Sequence, residues 1–508
     1  MEIKIVKKED LLKKILFLKN KNKRITLCHG VFDLFHVGHL RHMRFAKSQG
    51  DILIVSITKD KFINKGTGKP VFNENLRAEL ISSIEYVDYV YVSESQTAID
   101  VINLVKPNVY CKGIEYKNKQ NDLTKKIDLE IKTVKKNGGK TVFSNDLTFS
   151  SSKLLNENFN VFTEEQKKFL ERIKNKISLE EIKEIFTKVS KLKVLVIGEI
   201  LIDEYVFSEA VGKSGKEPIL ILRELKKERY IGGAGAIVKN LSNFTKEKIS
   251  LISYIGQKKE SLKEINEFLG KKINKFFLKK NDSATIVKRR YIDSISNSKL
   301  FGIYNFDYNN LLKKEEFFLL KKIKNQINKH DLVILADYGH GLFSKKITNF
   351  LSKSKKFITL NAQVNAANVG YHTLRDYNNL TCIVINEREL RHETRDRKSD
   401  IKKLIIKISK INRFKYILIT RGAQGLVLYS KNDKKFYECT AFATNIVDKV
   451  GSGDVILATF SLCLKCDVDI DVALFISSMA AAQKLKTFAN KEFILPDQLI
   501  KTFYHILK

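Results

Sequence analysis

A chain of 508 residues with 43% hydrophobic side chains is too long for one ordinary core and should divide into two or three globular domains. No apolar run approaches a membrane span, and the first ten residues lack the uninterrupted apolar stretch of a signal peptide, so no membrane partner and a cytoplasmic location are expected. The net charge of +35 raises nucleic acid as a partner, but residues 1–158 carry +10 and the other 350 carry +25, nearly the same density; the lysines read as solvated faces, and nucleic acid is not expected as the principal partner.

Taken in order, the spacing predicts an amphipathic lead-in helix over 9–20 and an apolar strand over 25–28 that enters a turn at Gly30. A helix over 37–47 follows, which puts His36 and His39 side by side on its first turn. A helix N-terminus offers amide donors and a positive dipole end, and Gly38 lets an anion approach the backbone. The pair suits charge stabilisation on phosphorus and contains no nucleophile, although paired helix histidines are often only packed. A strand over 51–57 leads to Lys65-Gly66-Thr67-Gly68-Lys69-Pro70, which lacks the first P-loop glycine and the following Ser or Thr and reads as a substrate-side loop. Helices over 74–85 and 96–105 alternate with strands over 87–92 and 108–111, the pattern of a parallel sheet. Residues 115–127 read as polar loop, and helical periods over 164–177 and 179–189 as a connector.

Gly30-Val31-Phe32-Asp33 with His36-Val37-Gly38-His39 resembles the cytidylyltransferase-like family of nucleotidyltransferases. Arg77 in Asn73-Glu74-Asn75-Leu76-Arg77, Lys112-Gly113 after the 108–111 strand, and Ser150-Ser151-Ser152-Lys153 match further sites of that family. The resemblance implies a Rossmann-like α/β domain over 1–158. It makes His36, His39 and Arg77 catalytic, and Gly30, Phe32, Gly38, Lys112, Ser151 and Ser152 nucleotide-binding, with Mg²⁺ and either ATP or CTP.

A second α/β pattern begins at Lys193. Strands are predicted over 249–254, 332–336, 356–360, 382–385 and 416–420, and alternating segments over 215–229, 284–291 and 299–306 suggest an antiparallel flap. Gly232-Gly233 opens a helix over 234–241. Late in the chain, Gly451-Ser452-Gly453-Asp454 opens an apolar helix over 455–464, where amides can surround a phosphate and a carboxylate can take a proton. On its own that string could equally be a helix cap. The six cysteines show no disulfide framework, and Cys463-x-x-Cys466 has neither a second pair nor a nearby histidine, so it reads as helix-end packing.

Gly198-Glu199 with Asp203, Gly232-Gly233, Asn386 to Glu389, Thr420 to Gly425 and Gly451 to Asp454, in that order, resemble the ribokinase-like (PfkB) sugar kinases. That resemblance implies a ribokinase-like domain with a small β flap over 186–508, after a 159–185 connector. Asp454 is then the base; Gly451, Ser452 and Gly453 form the anion hole; Asn386, Thr420, Gly422 and Gly425 lie by the nucleotide. Asp203, Gly232 and Gly233 meet the sugar, and Asn386 and Glu389 lie on the Mg²⁺ side, indirectly. The pairing resembles the bifunctional heptose kinase/adenylyltransferase family, as does Asp337-Tyr338-Gly339-His340-Gly341. The chain differs in placing the transferase first, in Leu360-Asn361-Ala362-Gln363 where that family carries an Asp-Pro pair, and in Glu199 for Asp. The implied partners are sugar phosphates, nucleoside triphosphates and a separate sugar bisphosphate phosphatase; a homodimer stays open, as does a kinase-like domain that binds without turnover.

Overall fold

The computed structural model of the chain describes residues 4–63, 70–95, 97–116, 126–144, 162–257, 259–307, 309–366, 368–443 and 446–507. The string at 65–69, most of 115–127 and the serine turn with Ser151 and Ser152 lie outside the described residues. Two compact units emerge, Met1–Leu170 with Ile500–Lys508, and Glu171–Leu499. No helix among the described residues is long and apolar enough to cross a membrane.

In the first unit, β1 (Ile25–Gly30), β2 (Ile52–Thr58), β3 (Tyr89–Ser93), β4 (Val109–Gly113) and β5 (Lys140–Ser144) pair in the order β3-β2-β1-β4-β5, all parallel. Side chains alternate between two buried layers, as strands covered on both faces must. Leu27 and Ile54 pack with Leu11, Ile15, Val101 and Val105 from the helices Lys8–Asn20 and Ile99–Val105. Cys28, Leu53 and Val55 pack with Met43, Ala46, Ala78 and Ile81 from the helices Val37–Ser48 and Glu74–Ser82. The strand order reverses between β1 and β4, and the crevice outside the strand ends at such a reversal is where doubly wound sheets take ligands. His29-Gly30 and Lys112-Gly113 end those two strands. The helix Lys126–Lys136 and β5 add a fifth strand to the four predicted.

The second unit holds a sheet of nine strands: β6 (Val194–Gly198), β9 (Ile249–Ile255), β10 (Ile273–Lys279), β13 (Leu332–Asp337), β14 (Ile358–Ala362), β15 (Cys382–Asn386), β16 (Tyr416–Thr420), β17 (Leu426–Ser430) and β18 (Lys435–Cys439). Their order is β10-β9-β6-β13-β14-β15-β16-β17-β18, parallel as far as β16 and antiparallel in the last two pairs. The helices Ser452–Lys465 and Ile470–Lys484 are apolar on nearly every side because they are core elements, with 455–464 all buried.

A smaller sheet contains β7 (Ile200–Lys213), β8 (Leu220–Gly233), β11 (Ile286–Asp293) and β12 (Lys299–Asn305) in the order β12-β11-β7-β8. It is not wholly antiparallel as expected: β11 pairs with β7 in parallel. The long connection through three strands and two helices permits that pairing, which a hairpin could not. β7 escaped the sequence reading because its first nine residues form one continuous buried run instead of an alternating one.

Candidate active sites

In the first unit, β1 feeds a tight loop in which Phe32 and Leu34 take φ values of 50° and 45°. Asp33, which sequence reasoning left without a role, pins this loop; its buried carboxylate accepts from the Val71 amide at 2.9 Å and the Phe72 amide at 3.2 Å. His36 is the N-cap of the helix Val37–Ser48, its Nδ1 accepting from the Gly38 amide at 3.1 Å. In a neutral ring that places the proton on Nε2, as a donor. The His36 and His39 rings stack with centroids 4.0 Å apart, and the Phe32 ring meets His39 edge-on at 5.5 Å. Gly30 lies against the Phe32 ring. No acidic side chain stands in the first turn, so nothing there neutralises the positive end of the dipole.

Arg77 is placed otherwise than the resemblance implies. It is buried, with Nε on Phe72 O (2.9 Å), Nη1 on Val31 O (2.5 Å), and Nη2 on Thr58 O (2.8 Å) and Asp60 Oδ1 (2.5 Å). A guanidinium spent on these acceptors braces the Val31–Phe72 loop walls and acts through them. Lys112 ends β4 with its ammonium 3.3 Å from the Glu130 carboxylate and 3.4 Å from His29 O. Burial, with the Lys112 charge close by, pushes the His29 imidazole down to about 3, so it is neutral at physiological pH.

In the second unit, Glu199 follows β6 and is fully buried. Its carboxylate accepts from the amides of Tyr338 (2.8 Å), His340 (3.2 Å) and Leu342 (3.3 Å), which shapes the turn after β13. Burial, with Asp337 nearby, pushes the Glu199 carboxyl up to about 8. The turn presents Tyr338, whose hydroxyl donates to Asp454 Oδ1 at 2.7 Å. Asp454 stands in the first turn of the helix Ser452–Lys465, after Gly451 at φ 82°. Asn490 packs where a side chain at 451 would go, so both conformation and space require glycine there. Burial pushes the Asp454 carboxyl up to about 6; the Tyr338 hydrogen bond and the Lys288 and Lys484 charges oppose that, and Asp203 adds to it.

Asp203, buried on β7, accepts from Arg290 Nη1 at 2.6 Å through Oδ1, while Oδ2 fills the space that a side chain at Gly232 would need. Gly233 then leads into the helix Ala234–Phe244. Lys288 is buried with its ammonium 5.7 Å from the Tyr338 ring centre, and burial lowers its pKa. The structure thus gathers Asp203, Asp454, Tyr338, Lys288 and Arg290 in one neighbourhood. The two cations lie on a flap strand with no motif, so nothing local marks them.

On the nucleotide-side positions, β15 and β16 end together with Asn386 in register with Thr420, and Gly422 and Gly425 form the turn into β17. Asn386 and Glu389 make a capping box for the helix Glu387–Thr394, and Glu389 also accepts from the Val364 amide at 3.2 Å. Burial pushes the Glu389 carboxyl up to about 7. Asn361 on β14 donates its Nδ2 to Val384 O at 2.7 Å. The turn after β13 also lines a cavity of about 190 Å³ with Asp307, Asp337, His340, His372, Asp376 and Tyr377 among its walls. All six cysteines are free, and Cys463 and Cys466 lie at the end of the helix Ser452–Lys465.

The two folds define a chain of transferase class, with one α/β unit of nucleotidyltransferase type and one of carbohydrate-kinase type. The cytidylyltransferase-like family model matches residues 27–158, and the pfkB family carbohydrate kinase model matches residues 191–492. The second match covers more than half of the chain, which belongs to the pfkB carbohydrate kinase family and carries a cytidylyltransferase-like domain ahead of the kinase domain. Relatives include the "Bifunctional protein HldE" of Aliarcobacter butzleri, 37% identical over 135 residues (26% of this chain, 28% of the relative). That of Desulfatibacillum aliphaticivorans is 27% identical over 297 residues (58% of this chain, 59% of the relative). The chain thus spans less than two thirds of the length of these relatives. Among solved structures, the ribokinase of Thermotoga maritima is similar at 16% identity and a TM-score of 0.48, covering 61% of this chain and 98% of that one.

Proposed function

We propose that the chain is a bifunctional enzyme of nucleotide-activated sugar synthesis, of the ADP-heptose type. Residues 186–508 phosphorylate a sugar phosphate with ATP. Residues 1–158, joined by a 159–185 connector, transfer a nucleotidyl group from ATP or CTP to a sugar 1-phosphate and release pyrophosphate. The observation that carries this reading is the pairing of the two families on one chain, since the relatives that match are themselves named bifunctional.

In the kinase step, the sugar hydroxyl forms the new bond to the γ-phosphorus, the bond to the β-phosphate oxygen breaks, and the hydroxyl proton passes to Asp454. Tyr338 holds that carboxylate in place, and a carboxyl titrating near 6 is ionised at neutral pH and basic enough to accept. The amides from Gly451 to Gly453 hold the transferring phosphate. Asp203 and the Gly232-Gly233 turn orient the sugar, and the carboxylate-lined cavity suits further hydroxyls better than a phosphate. Asn386, Thr420, Gly422 and Gly425 border the nucleotide. Both Glu389 oxygens are occupied by backbone amides, which fits a Mg²⁺ ion held there through water; bound, it would neutralise phosphate charge.

In the transferase step, the attacking sugar-phosphate oxygen is already anionic, so no base is required. It bonds to the α-phosphorus and pyrophosphate leaves, with His36 and His39 donating to the charge as it shifts. Gly30, Phe32, Gly38, Lys112, Ser151 and Ser152 serve the nucleotide, and Arg77 is a positioning residue. If the kinase product is a bisphosphate, a separate phosphatase must act before the second step.

The test is a pyrophosphate-release screen of ATP and CTP against sugar 1-phosphates, run beside ADP formation with sugar phosphates. Pyrophosphate release with no sugar-dependent ADP formation would instead support a binding-only second domain. Asn361, whose side chain straps β14 to β15 and offers no carboxylate, favours that second reading.

A further inference from the structure

Cys28 on β1 and Cys111 on β4 are register partners across parallel strands, and both are fully buried. His42 comes one turn after His39 on the helix Val37–Ser48 and is half-buried. Two sulfurs and one imidazole nitrogen from these residues lie within 4.8 Å of one another, a grouping of potential ligands found nowhere else among the described residues. Ser144, at the end of β5, places its hydroxyl 2.8 Å from His42 Nδ1 and so orients the ring, as outer partners of ligating imidazoles do.

We propose that Cys28, His42 and Cys111 form a binding site for a thiophilic d¹⁰ cation, Zn²⁺ first, directly behind the His36–His39 helix turn. Two soft sulfurs and an imidazole are the donor set of Zn²⁺ and Cu⁺, whereas Mg²⁺ prefers oxygen. With metal–ligand bonds of ~2.0–2.3 Å, tetrahedral ligand atoms stand roughly 3.3–3.8 Å apart, so small side-chain rotations close the group on an ion. Each thiol gives its proton to solvent as its metal–sulfur bond forms. Three protein ligands leave one coordination position open, and the half-exposed edge of His42 supplies the route in. The ion would tie β1, β4 and the histidine-bearing helix together at the switch point of the sheet. The three ligands stand 14 and 69 residues apart in the chain, and only the fold brings them to one place.

The test uses the full-length chain, reduced and freed of metal, titrated with Co²⁺ and then Zn²⁺. The expected result is one Co²⁺ per chain with a thiolate-to-Co²⁺ charge-transfer band that Zn²⁺ abolishes. Cys28→Ala and Cys111→Ala should each change that band, and His42→Asn, at a half-exposed position that tolerates polar side chains, should remove stoichiometric uptake. Ser144→Ala should weaken binding by ~10-fold, and Cys463→Ala should leave the titration unaltered. No thiolate band in the reduced wild type, or a band indifferent to His42→Asn and Cys28→Ala, overturns the proposal. So does a Cys28–Cys111 disulfide formed in air by a chain that takes up no metal when reduced.

Discussion

The helix Val37–Ser48 starts on a histidine and has no carboxylate in its first turn, whereas the helix Ser452–Lys465 starts on a left-handed glycine with Asp454 inside its first turn. Both helix ends suit an anion, yet only the second keeps a carboxylate in its first turn to accept a proton. Under the proposed function, that difference follows the nucleophile. A phosphate oxygen arrives ionised and needs only charge stabilisation along its path, while a sugar hydroxyl must lose a proton as it attacks. The cations differ in the same sense. Arg77 and Lys112 are committed to carbonyls and carboxylates of their own unit, whereas Arg290 pairs with Asp203, and the Lys288 and Lys484 charges oppose the upward push on the Asp454 carboxyl.

The largest expected effect that can break this contrast is His39→Ala. Loss of one charge-stabilising contact should lower pyrophosphate release by ~10²–10³ and leave ADP formation by the second unit unchanged. Near wild-type release would dismiss the histidine pair as packing. Next comes Asp454→Asn, which keeps shape and hydrogen bonding but cannot take the proton. ADP formation at saturating sugar phosphate should fall by at least ~10², with ATP affinity and pyrophosphate release little changed. If Asp454 is only a helix cap, the change costs about 1 kcal/mol of stability or less and turnover stays intact.

The contrast also has a pH form. Asp454 titrates near 6, so it is ionised above that pH and protonated below it. ADP formation should therefore drop about tenfold per unit below pH 6. Pyrophosphate release should show no limb owed to a carboxylate base. A kinase profile flat down to pH 5 would remove Asp454 from the proton's path.

Much of the first site was legible because its parts are contiguous: the strand, the turn and the His36–His39 helix follow one another within about fifteen residues, and local periodicity predicts them. Arg77 was legible as a residue but not as a brace, since a side chain that spends its donors on Val31, Thr58 and Phe72 carbonyls leaves no local pattern. In the kinase unit, the Gly451–Asp454 string was readable, but its partner Tyr338 comes from a turn 116 residues away. Lys288 and Arg290 come from a flap strand whose parallel pairing with β7 only tertiary structure decides. The Cys28–Cys111 pairing was hidden for the same reason, because strand order and register are properties of the sheet.

The smallest expected effect falls on Asn361, and it separates the two readings of the second unit. Its Nδ2 donates to Val384 O across β14 and β15, a bond that an ionised aspartate cannot make. Asn361→Asp would set a carboxylate oxygen against that carbonyl, leaving an acceptor unsatisfied at a half-buried position. The expected cost is ~1–3 kcal/mol in denaturant unfolding. The new carboxyl, facing a carbonyl, should hold its proton more tightly folded than unfolded, and the protonated form can still donate. The loss should therefore be smallest in acid and should grow as pH rises through the raised folded pKa. If the second unit turns over sugar phosphate as it stands, the substitution should lower stability without raising ADP formation. If instead sugar-dependent ADP formation appears only in Asn361→Asp, the missing carboxylate is what silences the native domain, and the binding-only reading takes the place of the kinase.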